Sequence, residues 1–273
     1  MKKKKLRGVS AANIYLVLVL LLMYLPMIVV AVYSFNANSS RLPTEFTGFS
    51  LQYYKALFRD TKGLVEALKT SLQLAALSCG AAMVIGTLGA VGMAKKKMRF
   101  SGLLETVTML PVMIPEIILA VAFLALFTAA GLKLGMGTLV LAHITFCIPY
   151  IFMLVKGRLA GMDANLESAA RDLGASPAKA FFTITLPMIL PGVLSGTMLA
   201  FAMSMDDFVI SFFVTGSNVN PLPLVVYSSV KTGVSPQVNA LCTLILVFVF
   251  VVVGAAVFRP SLKRNEKSME EIK

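Results

Sequence analysis

Three carboxylates stand where an apolar sequence can least support them. Glu116, Asp206 and Asp207 each lie inside a long hydrophobic run. An Asp at the centre of a membrane helix costs roughly 2.5–3.5 kcal/mol on insertion scales, so such groups face a cavity, a partner or a pathway rather than lipid. The runs that hold them carry no Lys or Arg. That leaves three fates for the charge: protonation, pairing with a second subunit, or visits from a cationic solute. Asp206 and Asp207 are adjacent and point about 100° apart on a helix, so no more than one lines a path fully. The competing reading is that this pair caps or hydrogen-bonds a helix break. Glu116 follows LPVMIP, in which Pro111 and Pro115 remove ladder donors and kink the helix, placing a functional wall beside the carboxylate.

Other chemistries find no support. His143 is the one histidine, so neither a zinc set nor a Ser-His-Asp triad can be assembled, and it reads as a hydrogen bonder between helices. HExxH and GxGD are absent, and so is the GxxxxGK[ST] loop that cradles nucleotide phosphates. No cofactor or metal is expected, and any ATP must be hydrolysed by another subunit. Cys79, Cys147 and Cys242 fall in apolar runs without ligand spacing and read as small buried hydrophobes. Tyr227 precedes the last apolar run, where its ring can anchor at an interface or meet a cation.

The elements that position these groups are set by the solvent. Of 273 residues 58% are hydrophobic and 14% charged, too little polar surface to cover a water-soluble globule. Six apolar segments, at 13–35, 70–94, 103–129, 137–155, 188–213 and 238–258, match the roughly 20 residues that span a bilayer. Helices satisfy every backbone donor internally, and the runs lack the alternation of barrel strands. The expectation is an all-α, six-span membrane domain over 13–258, between tails at 1–12 and 259–273. The first run is too long for a signal-peptide core and is taken as a retained span.

The net charge of +12 points to topology rather than to nucleic acid. Basic residues cluster beside the spans, at Lys2 to Lys5 with Arg7, at Lys95, Lys96, Lys97 and Arg99, and at Arg259, Lys263 and Arg264. With a cytoplasmic N-terminus, 18 of the 25 Lys and Arg fall on the inner side and 7 outside, and both termini are inside. The outer connection 36–69 carries aromatics and an interfacial helix near 51–58.

The inner connection 156–187 folds into two short helices. Asp163 caps the first, Leu166, Ala169, Ala170 and Leu173 form its apolar stripe, and Gly174 suits the left-handed residue that ends it. Ser176 caps the second, with Pro177 at its first position. Such an elbow either inserts into a groove on a soluble partner or lies on the lipid surface. Its spacing resembles the EAA loop of ABC-importer permeases: Ser168-Ala169-Ala170, Gly174, Ile184, Leu186 and Pro187 fall in register. The departure is that Ser168 stands where the pattern has Glu, with Glu167 one residue earlier. The resemblance implies that Glu167 to Pro187 seats in a cytoplasmic ATPase and couples its closure to movement of the permease.

LPVMIPEIILAVAF, AMSMDDFVISFFVTG and PLPLVVYSSVKTGVSPQVNAL resemble the second permease of spermidine/putrescine importers, over nearly the whole chain. That implies a type I importer fold in a bacterial inner membrane, contributing half of a translocation path. It also implies two copies of an ATP-binding subunit, a sister permease and a soluble periplasmic solute-binding protein, besides membrane lipid. Multiply charged amines agree with acidic spans that lack basic residues. The alternatives are an importer permease for another solute or, from a different class, a channel or intramembrane enzyme acting alone.

Overall fold

The computed structural model describes residues 11–38, 45–59, 63–95, 99–163, 165–233 and 236–270, with side chains as far as 255. The basic cluster at Lys2 to Lys5 with Arg7, the pair Lys96 and Lys97, and the side chains of Arg259, Lys263 and Arg264 lie outside the described residues. Among those described, five helices are long and apolar enough to cross a membrane, and one bent pair makes a sixth if it counts as one span. The chain forms two compact units, 1–65 with 228–273, and 66–227.

In the first unit α1 (Ala11–Tyr33) runs through Pro26 without ending. It lies along α12 (Pro236–Glu270), with the rings of Tyr24 and Phe250 6.5 Å apart. The helix α12 continues past residue 258, where the apolar run ends. Between them the chain turns on Asn36, whose amide donates to the Glu45 carbonyl at 2.8 Å and accepts from the Thr47 N–H at 3.0 Å. The short α2 (Gln52–Phe58) follows and packs on α12. Tyr54 fastens it to Ser34 through a hydroxyl pair at 2.6 Å.

The second unit holds most of α3 (Leu64–Lys95), α4 (Ser101–Met113), α5 (Glu116–Ala129), α6 (Met136–Ala160), α7 (Asn165–Asp172), α8 (Pro177–Ala180), α9 (Leu186–Asp206), α10 (Val209–Val214) and much of α11 (Leu222–Thr232). Its axis is the crossing of α6 on α9. Gly192 and Gly196 make that crossing close: a Cβ on Gly196 would stand 2.8 Å from the Ile151 Cα, and one on Gly192 2.5 Å from Arg158 Cγ. Small residues four apart let two backbones approach where burial against lipid gives little drive. On its other side α6 meets α3, where Gly86 lies against Ile148 and Ile151.

Two segments that read as continuous spans are broken. The third bends by 107° between α4 and α5. Pro115, with no N–H to donate, leaves Ile114 in an extended conformation (ψ 135°) and becomes the N-cap of α5. Glu116 is therefore the first residue of a new helix, directly after the proline at which the sequence predicts a kink. The fifth stops at Asp207, extended at ψ 115°, and resumes as α10.

Candidate functional site

The two breaks meet. Helix α10 packs against both α5 and α6, and this brings Glu116, Asp206 and Asp207 into one cluster. The Glu116 carboxyl lies within electrostatic range of both Asp207 and Asp206. Glu116 and Asp206 are exposed, whereas Asp207 is 4% exposed.

Asp207 is held on every side. Its Oδ1 accepts the Ile210 N–H at 3.1 Å, and Oδ2 accepts the N–H and the hydroxyl of Ser211, both at 2.8 Å. These are donors that the first turn of α10 would otherwise leave unmade. His143 of α6, fully buried, places Nε2 3.2 Å from the same Oδ2. Its Nδ1 lies 2.9 Å from the Ser204 hydroxyl of α9, and its Nε2 3.3 Å from that of Ser211. A carboxylate only accepts and the Ser211 hydroxyl already donates to it, so the ring nitrogen that faces both, Nε2, carries a proton.

That corrects one expectation. Counting only Lys and Arg left the membrane carboxylates without an internal partner, yet His143 partners Asp207, and the capping role accounts for the rest of its bonds. The exposed carboxylates of the cluster are Glu116 and Asp206. Tyr227 of α11 tilts its ring over that of Phe208 at 4.4 Å between centroids, and Phe208 directly follows Asp206 and Asp207 in the chain. Carboxylates attract ammonium groups through charge, and aromatic rings attract them through their faces.

The elbow lies at the other end of α9, about 30 Å away for a helix of 21 residues. Asp163 Oδ1 accepts the Asn165 N–H at 2.9 Å as α7 begins. Gly174, at φ +87°, ends that helix, and the Ala175 N–H reaches back to the Ala170 carbonyl at 3.0 Å. Ser176 caps α8 by accepting the Lys179 N–H at 3.3 Å, with Pro177 at the first position. The face so built is open to solvent: Leu173 is 90% exposed, and Leu166, Ser168 and Ala169 are exposed, with Ala170 half-buried. Ser168, Arg171, Asp172, Gly174 and Pro177 rim a concavity of about 520 Å³.

Glu167 faces away from that concavity, towards Lys95 and Thr185. The Lys95 ammonium that hydrogen-bonds Glu167 holds its carboxyl below the usual glutamate range, with the Thr185 hydroxyl adding to the effect. Beyond α8 the chain widens into one π-helical turn, Phe181–Thr185, with Ile184 half-buried in it. Leu186 opens α9, its N–H bonded five residues back to Phe181, and Pro187 has no N–H to restore the tighter ladder.

Sequence reasoning named Glu116, Asp206, Asp207 and Tyr227 and read His143 as a hydrogen bonder between helices, which its bonds to Ser204 and Ser211 bear out, but it did not pair His143 with Asp207 and missed Ser204, Ser211 and Phe208. A histidine and two serines inside apolar runs were the only signal. It also separated the cysteines, whereas Cys79 and Cys147 place their sulfurs 3.9 Å apart in the packed interior, consistent with small buried side chains.

The family described as "Binding-protein-dependent transport system inner membrane component" matches residues 82–264. The putrescine transport system permease protein PotI of Escherichia coli (strain K12) is 42% identical over 231 residues, covering 82% of this chain and 81% of that one. The spermidine/putrescine transport system permease protein PotC of the same strain is 39% identical over 262 residues, 95% of this chain and 96% of the other. In structure the chain is similar to a bacterial ABC transporter involved in the import of the acidic polysaccharide alginate, with a TM-score of 0.69 at 13% identity over 93% of this chain and 94% of that one. Nearly all-helical among its described residues, with five to six candidate spans there, and matched over most of its length, the chain thus belongs to the inner-membrane permease components of binding-protein-dependent ABC importers.

Proposed function

We propose that this chain is a permease subunit of an ATP-driven importer of polyamines of the spermidine and putrescine type, forming half of the translocation path. Importer permeases of this family work with ATP-binding subunits and a solute-binding protein. For this chain the finer assembly is two ATP-binding subunits, one sister permease and one soluble periplasmic binding protein. The elbow faces the cytoplasm, both termini lie on that side, and the ATPase docks on the exposed stripe through Ser168, Ala169, Ala170, Gly174, Ile184, Leu186 and Pro187.

One observation carries the solute reading: Glu116 and Asp206 stand exposed within electrostatic range of each other, and Phe208, the residue after Asp207, pairs its ring with Tyr227. A carboxylate cluster of this kind calls for a cation or a proton between its members. An extended diamine or triamine meets it with separated ammonium groups, one on the carboxylates and one over the rings. The names of relatives that span nearly the full chain support the same solute class.

The test is uptake by the assembled importer carrying Glu116→Gln or Asp206→Asn. Each loses one exposed charge and removes none of the hydrogen bonds that join His143, Ser204, Ser211 and Asp207, so each lowers uptake of labelled putrescine and spermidine several-fold while leaving membrane insertion intact. Unchanged uptake kinetics in both variants would remove these residues from the path.

A further inference from the structure

The one acidic side chain in the EAA-like stretch from Glu167 to Ala170 is bonded within its own chain. Both Glu167 oxygens lie 2.7 Å from the Lys95 ammonium, and the Thr185 hydroxyl donates to Oε2 at 3.0 Å. Lys95 is the last residue of α3, Glu167 sits in the first turn of α7, and Thr185, fully buried, is the last residue of the π-helical turn that feeds α9. The same ammonium lies 5.4 Å from the centre of the Phe181 ring at the start of that turn. Three elements thus converge on one carboxylate, while Ser168, its neighbour, faces the concavity.

We infer that Glu167 is a positioning residue, a strut that carries displacement of the elbow into the roots of α3 and α9, and that Ser168, not Glu167, meets the docking partner at the first position of the EAA-like triplet. This rests on the proposal that the elbow docks the ATPase. A chain of charge-assisted bonds suits the task, being short and directional, and it joins α7 to elements that a loop alone would leave free to slide. The pair is partly exposed, with side chains 37% and 21% accessible, so its contribution to bulk stability is small. Its role is coordination of movement. Helix α9 then carries the push over about 30 Å to the broken segment at Asp206 and Asp207.

The experiment uses the complete importer in proteoliposomes, with solute moved per ATP hydrolysed as the readout and retention of the ATPase on purification as the control. Glu167→Gln and Lys95→Gln are each expected to keep the ATPase bound and to lower the transport ratio several-fold. The exchanged pair Lys95→Glu with Glu167→Lys recovers a substantial part of that loss, which assigns the loss to the pair rather than to either side chain alone. An unchanged ratio in Glu167→Gln overturns the strut, and so does loss of the ATPase from that variant, which would make Glu167 a docking contact. Failure of the underlying docking reading shows elsewhere: Gly174→Phe, which bars the +87° backbone conformation and fills the concavity, would then still co-purify with the ATPase.

Discussion

At the scale of single residues, the site depends on which carboxylate is spent and which is available. Asp207 is spent: four hydrogen-bonding groups on α6 and α10 surround it, and burial makes each of them matter. Replacing His143 by Ala removes one of the four groups bonded to a buried carboxylate and is expected to cost about 1–3 kcal/mol, read as a lowered Tm of the purified protein in detergent. An unchanged Tm would show that the network is not holding the break. Glu167 is the outer counterpart. Its carboxyl is held below the ordinary value of 4.5, chiefly by its bond to Lys95, so the clasp is complete above that range and is lost only as the pH falls through the lowered value. Neither partnership was legible in sequence. Lys95 read only as one of a basic cluster, and His143 lies 61 positions before Ser204 and farther still from Asp207, distances that no local pattern spans.

At the scale of elements, periodicity and cap chemistry located more than packing did. Asp163, Gly174, Ser176 and Pro177 announce the elbow because capping and left-handed geometry are local demands. The α4–α5 break was legible as a kink, since two prolines remove donors, but its 107° depends on what α5 packs against. The Gly192 and Gly196 pair carried a readable close-packing signal that was passed over. Gly196→Ile is expected to destabilise the protein by about 1–3 kcal/mol, because its Cβ alone would meet the Ile151 Cα at 2.8 Å. The same exchange at Gly92, where a Cβ meets nothing within 4 Å, should shift Tm far less. Equal shifts at the two sites would contradict the close crossing.

At the scale of the whole molecule, composition and six apolar runs sufficed for a polytopic helical protein, because the bilayer admits so few solutions. The spacing of the elbow and the long stretches of resemblance turned that into an importer permease, which the family match over residues 82–264 bears out. What remained hidden was how two broken helices bring Glu116 to Asp206 and Asp207, a matter of long-range packing. The functional picture we propose is an acidic station at one end of α9 and a docking elbow at the other, joined through a strut. Its central claim is ATP-driven passage of polyamine cations. The direct measurement is accumulation of labelled putrescine and spermidine in proteoliposomes holding the complete importer, with and without ATP, against competing amines. The account predicts ATP-dependent accumulation that excess polyamine suppresses and a neutral analogue of the same length does not. Accumulation that proceeds equally without ATP, or equal suppression by the neutral analogue, would contradict it.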